Sequence, residues 1–292
     1  MRWEYLREEE FEEAIERSKG GCAMAVGCLE KHGQHLPVGT DTLKGDMILR
    51  MAAEIEEVCV FPASYVGNVM GYHSIKNLDE RNWRGGVGLS PELLMRYLQE
   101  MCGEIARNGF KKILLFNSHG GNRAFLDFFA QSVGYEKKDY VVMTAYNKLI
   151  HPKEVLEILK EKGREYLPML TDEDIKVLEH YAEHGTGGGH ADFMETALMQ
   201  GTYPELVNLD RIHAESGLSK QRVALSESGV FYPGEWSANF PNSYEGYAPE
   251  GCSRTIGDAC VKIAVERTAS ILKTLKEEPF LDELLREKRN AK

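Results

Sequence analysis

Apolar residues along this 292-residue chain follow two patterns in turn, and that alternation is the first limit on the fold. Four short stretches are nearly uniform in apolar character: Cys22-Ala-Met-Ala-Val-Gly-Cys-Leu, Val58-Cys-Val-Phe, Lys112-Ile-Leu-Leu-Phe and Tyr140-Val-Val-Met-Thr-Ala-Tyr146. Their length and lack of a helical stripe predict strands buried on both faces. Between them apolar residues recur three and four apart, as in Phe11, Ala14 and Ile15, and again in Ile48, Met51, Ala52 and Ile55 of the stretch 43–58. Such spacing predicts amphipathic helices. A further helix opens at Ser90-Pro91-Glu92, with a cap, a proline at the first helical position and an acid in the first turn, and it ends at Gly109. Another runs from about Ala124 to Val133. Strand and helix alternating in this way predict an α/β fold with a parallel sheet, helices on both faces and right-handed crossovers.

The remaining stretches qualify that frame. Residues 62–90 form a long connection rich in Gly, Asn and aromatics, and a connection of that length in a compact domain predicts a functional loop or lid. Residues 150–184 read as two charged helices, Pro152 to Lys162 and Thr171 to Glu183, inserted over the sheet edge or at an oligomer contact. A helix is predicted over His190 to Gln200, an aromatic and Gly/Pro-rich stretch over 229–251, and two amphipathic helices over Ile256 to Leu275 and Phe280 to Lys288. We read the chain as one domain over 1–292, with a helical extension at about 277–292.

Charge and cysteine usage narrow the partners. A net charge of -11 and a pI near 5.4 argue against nucleic acid and anionic membrane, both of which need a basic face. Small molecules or other protein chains are the expected partners. The six cysteines form no C-x-x-C pair and read as reduced core residues of a cytosolic protein. The amino terminus has no apolar signal region, and no apolar run approaches the ~18 residues of a membrane span, so a cytoplasmic location is expected.

Candidate chemistry gathers in three places. The stretch from Gly27 to Asp46 packs Glu30, His32, His35 and Asp41 close together. Residues two apart in extended chain face the same way, so Glu30 and His32 can share one pocket. Pro37 and Gly39 then turn the chain, which can return Asp41 to the same point. His119 follows a strand directly and precedes Gly120 and Gly121, which can present backbone amides to a substrate oxygen. His190 and Glu195 border one pocket if His190 sits off the axis at the helix start. Carboxylate and imidazole donors suit zinc, manganese or iron in a hydrolytic site.

The pieces Glu30-Lys-His32-Gly-Gln-His35-Leu-Pro-Val-Gly-Thr-Asp41, Asn117-Ser-His119-Gly-Gly-Asn122 and His190-Ala191…Glu195-Thr196, in that order, resemble the creatininase (creatinine amidohydrolase) family. The resemblance covers about 20–135 and 185–265. It implies a three-layer α/β/α sandwich with a mostly parallel central sheet and two divalent metal ions per subunit. It also implies hydrolysis of a small non-peptide amide, such as a cyclic amide or formamide, by a hydroxide between the metals. Glu30, His32, His119 and Glu195 would be ligands, Asp41 the carboxylate shared by both metals, and His190 the acid/base residue. His35 is expected to be structural. A homo-oligomer, in the form of a hexamer, is also implied.

The sequence departs from the family at His190-Ala191-Asp192-Phe193, at Gly121 and at Trp83-Arg84-Gly85-Gly86. These changes fall where substrate is held, so the resemblance implies the chemistry more firmly than creatinine as the substrate. Tyr72, His73, Trp83, Arg84, Gly120, Gly121, Trp236 and Tyr244 are candidates for the substrate pocket. A lactonase or phosphoesterase would use the same metal pair, and a metal-free scaffold is the non-enzymatic alternative. Only Lys31, Arg84 and Arg123 are cations near the motifs, which ranks phosphoesters low.

Overall fold

The computed structural model describes residues 1–69, 84–186 and 188–290. Its four strands, β1 (Gly21–Val26), β2 (Cys59–Ser64), β3 (Lys112–Asn117) and β4 (Val141–Tyr146), form one parallel sheet in the order β2-β1-β3-β4. The two central strands, β1 and β3, are buried along their whole length. β2 lies at an edge and contains Pro62, a residue that cannot donate to a ladder and is tolerated there for that reason. β1 and β3 run in register to their ends, Val26 opposite Asn117, so the chain leaves both strands at the same level.

Ten helices flank the sheet among the described residues: α1 (Phe11–Arg17), α2 (Thr40–Ile55), α3 (Pro91–Arg107), α4 (Arg123–Tyr135), α5 (Pro152–Lys162), α6 (Asp172–His184), α7 (Phe193–Thr202), α8 (Glu235–Asn239), α9 (Arg254–Glu277) and α10 (Pro279–Asn290). Strand alternation sorts them into two layers. Ala23, Ala25, Leu114 and Phe116 point into a core shared with α2, α5, α6, α7 and α9. Cys22, Met24, Val26, Ile113 and Leu115 point into a second core with α1, α3 and α4. This is the expected α/β/α sandwich. Where α7 and α9 cross, a Cβ on Gly257 would lie 2.4 Å from the Gly201 nitrogen, so only glycine lets these backbones touch.

Several boundaries differ from the sequence reading. The first strand ends at Val26, short of Leu29, because Thr42 crowds Gly27 and the chain turns away. The next helix starts at Thr40, with Gly39 at its cap, so Asp41 belongs to a helical first turn and not to a loop. The helix read from His190 begins only at Phe193, because Asp192 caps it by accepting from the amides of Met194 and Glu195 at 2.9 and 3.1 Å. Segment 150–184 is more deeply set than an edge insertion. Val155, Leu167, Leu170, Leu178 and Tyr181 are all buried in the first core. Among the described residues no helix is long and apolar enough to cross a membrane.

Candidate metal centre

Parallel sheets place ligand sites beyond the carboxyl ends of their strands, and here the level ends of β1 and β3 set two loops side by side. The loop after β1 carries Glu30 and His32, fixed by the Glu30 amide donating to Val38 O at 3.0 Å and a bridge between His32 and Leu36. Asp41 follows in the first turn of α2, where a carboxylate meets the positive end of the helix dipole. His119 stands two residues past β3, its amide held by Asn117 Oδ1 at 3.0 Å. Glu195 lies in the first turn of α7. His190 precedes that helix in an isolated bridge to Glu245.

These side chains converge. His119 Nδ1 is 3.0 Å from Asp41 Oδ2 and 3.1 Å from Glu30 Oε1. His32 Nε2 is 3.6 Å from the same Asp41 Oδ2 and 3.4 Å from Glu195 Oε2. His190 Nδ1 is 3.4 Å from Glu30 Oε1 and 4.0 Å from Glu195 Oε2. Three overlapping donor groups result among the described residues, Glu30–Asp41–His119 with Cys28, His32–Asp41–Glu195, and Glu30–His32–His190, the ligand atoms of each lying within 4.8 Å of one another. Asp41 belongs to the first two. The backbone fixes the ring tautomers: His32 Nδ1–H donates to Glu30 O at 3.0 Å and His190 Nε2–H to Lys31 O at 2.9 Å. The other nitrogen of each ring is aimed at the carboxylates.

Carboxylates dominate this cluster. Glu30, Asp41 and Glu195 are buried against a single buried ammonium, that of Lys44, which bonds Asp41 Oδ1 and, at 2.7 Å, Glu195 Oε1. Burial works against charging the imidazoles, but Glu195 and Asp41 outweigh it and push His32 up to about 9. His119 moves the same way, with Glu30 overcoming burial. Asp41 is driven well below the usual carboxylate range despite burial, chiefly by Lys44 and His32. Lys44 holds the outer oxygens, so Asp41 Oδ2 and Glu195 Oε2 face inward. Glu30 Oε1 and His32 Nε2 are buried and make no hydrogen bond of good geometry, their nearest partners being His119 Nδ1 at 3.1 Å and Glu195 Oε2 at 3.4 Å. Buried polar atoms are as a rule hydrogen-bonded, so a carboxylate and an imidazole left this way among further carboxylates fit divalent cations.

Comparison with known proteins settles the kinship. A family model described as Creatininase, creatinine amidohydrolase, matches residues 4–272. The chain belongs to the creatininase family. The match also takes in segment 150–184, which the short motifs do not reach. A creatinine amidohydrolase of Pseudomonas putida is 28% identical over 202 residues, 66% of this chain and 69% of that protein. A solved creatininase in a Mn form superposes with a TM-score of 0.68 at 20% identity over 94% of this chain and 98% of that one. A mutant creatininase of Zn-Zn type gives the same values. As a member of that family it is a hydrolase of non-peptide C–N bonds, and its cluster could hold metal ions.

A cavity of about 910 Å³ opens over the cluster, lined by Glu30, Asp41, His119, His190 and Glu195 at its floor. Gly120, Gly121 and Trp236 line it too, and Trp236 sets its edge against the His190 ring at 5.1 Å while donating to Glu245 Oε2 at 2.6 Å. Arg84 is exposed and is not among the described residues of the lining. Tyr244 is packed behind His35, with its hydroxyl on Tyr247 O at 2.9 Å. Tyr72, His73 and Trp83 lie outside the described residues. Burial pulls His35 down to about 4, and its neutral ring bonds Ala191 O at 2.9 Å and Thr196 Oγ1 at 3.3 Å. Sequence reasoning missed Cys28 and Lys44. Both had a signal: Cys28 is two residues before Glu30, and Lys44 is three after Asp41, which shares its face once the helix is known to start at Thr40.

Proposed function

We propose that this creatininase cleaves a small cyclic amide, formamide or related amide, with two divalent cations held by Glu30, Asp41 and His119 on one side and His32, Asp41 and Glu195 on the other. The observation that carries the reading is Asp41 Oδ2, which faces both histidines that define the two groups. When bound, the cations supply Lewis acidity, bringing the pKa of water from 15.7 to about 7 and polarising the amide carbonyl. The chain supplies the rest. His190, its Nε2–H fixed on Lys31 O, presents Nδ1 to the floor of the cavity, where it takes a proton from the attacking water and gives it to the departing nitrogen. Phe231, Tyr232, Trp236 and Phe240 wall the cavity with apolar surface and limit water around the amide. No Lys or Arg is among the described residues of the lining, which favours a neutral amide over a phosphoester.

Metal-reconstituted enzyme should hydrolyse at least one member of a panel of cyclic amides, formamides and lactams, and chelation should abolish it. Protein that retains no zinc, manganese or iron after gentle purification and reconstitution would overturn the reading, as would a preference for phosphoesters. Within the same panel, His190→Gln should lower turnover by about 10²- to 10⁴-fold with metal content unchanged. Loss of metal from that variant would make His190 a ligand.

A further inference from the structure

Five of the six cysteines belong to the apolar cores: Cys252 and Cys260 to one, Cys22, Cys59 and Cys102 to the other. Cys28 belongs to neither, although it is fully buried. It sits at the end of the chain segment that leaves β1, and its Sγ–H donates to Asp41 Oδ2 at 3.3 Å, the oxygen that also faces His119. Sγ, Glu30 Oε1 or Oε2, an Asp41 oxygen and a His119 nitrogen all lie within 4.8 Å of one another. Glu30, only 5% exposed, aims among them an Oε1 that makes no hydrogen bond of good geometry. Gly121, in the turn after His119, has no room for a side chain beside the ring. A Cβ on Gly121 would stand 2.5 Å from His119 Nε2 and 2.8 Å from Asn68 O.

We propose that Cys28 is a metal ligand, its thiolate completing a Cys28–Glu30–Asp41–His119 set around one cation. This rests on the two-cation reading above. On binding, the S–H bond breaks, its proton leaves to water and the sulfur lone pair goes to the cation, with no change of oxidation state. With four protein donors that site would resemble a structural zinc, whereas the His32–Asp41–Glu195 group offers three and would leave a position for substrate. The amide carbonyl is therefore assigned to the cation on the His32 side. A thiolate is also a soft donor, so the Cys28 site should favour zinc, iron or cobalt over manganese.

The test is spectroscopic and does not depend on turnover. Cobalt-loaded protein should show a near-ultraviolet thiolate-to-cobalt charge-transfer band, and Cys28→Ser should bind cobalt without it. The same variant should shift zinc-over-manganese selectivity toward manganese by roughly 10-fold or more, since even partners behind a ligand are worth about that in affinity. Wild-type protein that binds two cobalt ions with no such band overturns the thiolate ligand and leaves the hydrolase reading standing. A band that survives in Cys28→Ser overturns it equally. Protein that binds no cobalt overturns both. If the variant fails to fold, cadmium NMR of the wild type decides, by whether one resonance lies in the sulfur-coordinated range or both lie among nitrogen and oxygen donors.

Discussion

Asp41 and Asp174 occupy the same kind of address. Each is a carboxylate in the first turn of a helix, of α2 and α6 respectively, and each is almost wholly buried, at 2% and 5% exposed. Their partners differ in kind. Asp174 accepts from the Thr171 amide at 2.8 Å and from the hydroxyls of Thr171, Ser253 and Thr255 at 2.9, 2.5 and 2.6 Å. None of these partners titrates, and the contacts tie the cap of α6 to the cap of α9. Asp41 faces Lys44, His32, His119 and Cys28, groups that carry or exchange protons. One carboxylate is satisfied by the fold. The other stands among titratable groups that a cation could replace, which is what the proposed metal role requires of a buried acid.

The comparison breaks most visibly at Asp41. Asp41→Ala should bring activity to background and remove cation from both groups, because the shared oxygen serves each; the Lewis acid contribution lost is several kcal/mol of barrier. Metal analysis beside turnover checks it, and a variant that keeps full activity refutes the shared role. The matching change at Asp174 should leave kcat and metal content intact. A fall in metal content there would erase the distinction.

Lys44 sharpens the contrast from the other side. Lys44→Met leaves Asp41 and Glu195 buried without their ammonium, and breaking a buried pair by removing one partner costs about 3–5 kcal/mol. That cost should appear in the metal-free protein and shrink when zinc is added, because cations take over the compensation. Thermal or urea unfolding with and without zinc measures both. If the two forms lose the same stability, Lys44 is a plain structural ion pair and the charge argument for the cluster fails.

How much of this was legible beforehand follows from what each residue's position depends on. The sheet was readable because β1, β2, β3 and β4 are short apolar runs and the intervening stripes are helical, so local pattern and final fold agree. Ser90 announced its helix correctly because a cap needs only neighbours a few residues away: Leu93 donates to its Oγ at 3.3 Å. Glu30, His32, Asp41, His119 and Glu195 were named from motifs, but their convergence depends on β1 and β3 ending level, which no local pattern states. Cys28 was hidden for a different reason. A cysteine in an apolar run reads as core, and only the turn at Gly27 rotates it out of the sheet toward Asp41. The lining aromatics Phe231, Tyr232 and Phe240 come from a stretch whose composition gave no register at all.

Asp174 gives the smallest effect and the cleanest sign. Burial alone would raise its pKa, but donation from Ser253, Thr255 and Thr171 outweighs burial and holds it below the ordinary value of 3.8. A folded-state pKa below the unfolded one means that the unfolded chain takes up the proton first as pH falls. The stabilisation is therefore complete above the unfolded value, about 3.9, and drains away as pH drops through it toward the lower folded value. Asp174→Asn loses acceptor capacity for these donors and should cost about 2 kcal/mol near neutrality, within the range of hydrogen bonds to a charged group. The gap between wild type and variant in urea unfolding should narrow at about pH 3, where the wild-type carboxyl loses its own advantage. A gap of constant size across that range would mean that shape, and not charge, holds the two helix caps together, and Asp174 would then differ from Asp41 in less than their partners imply.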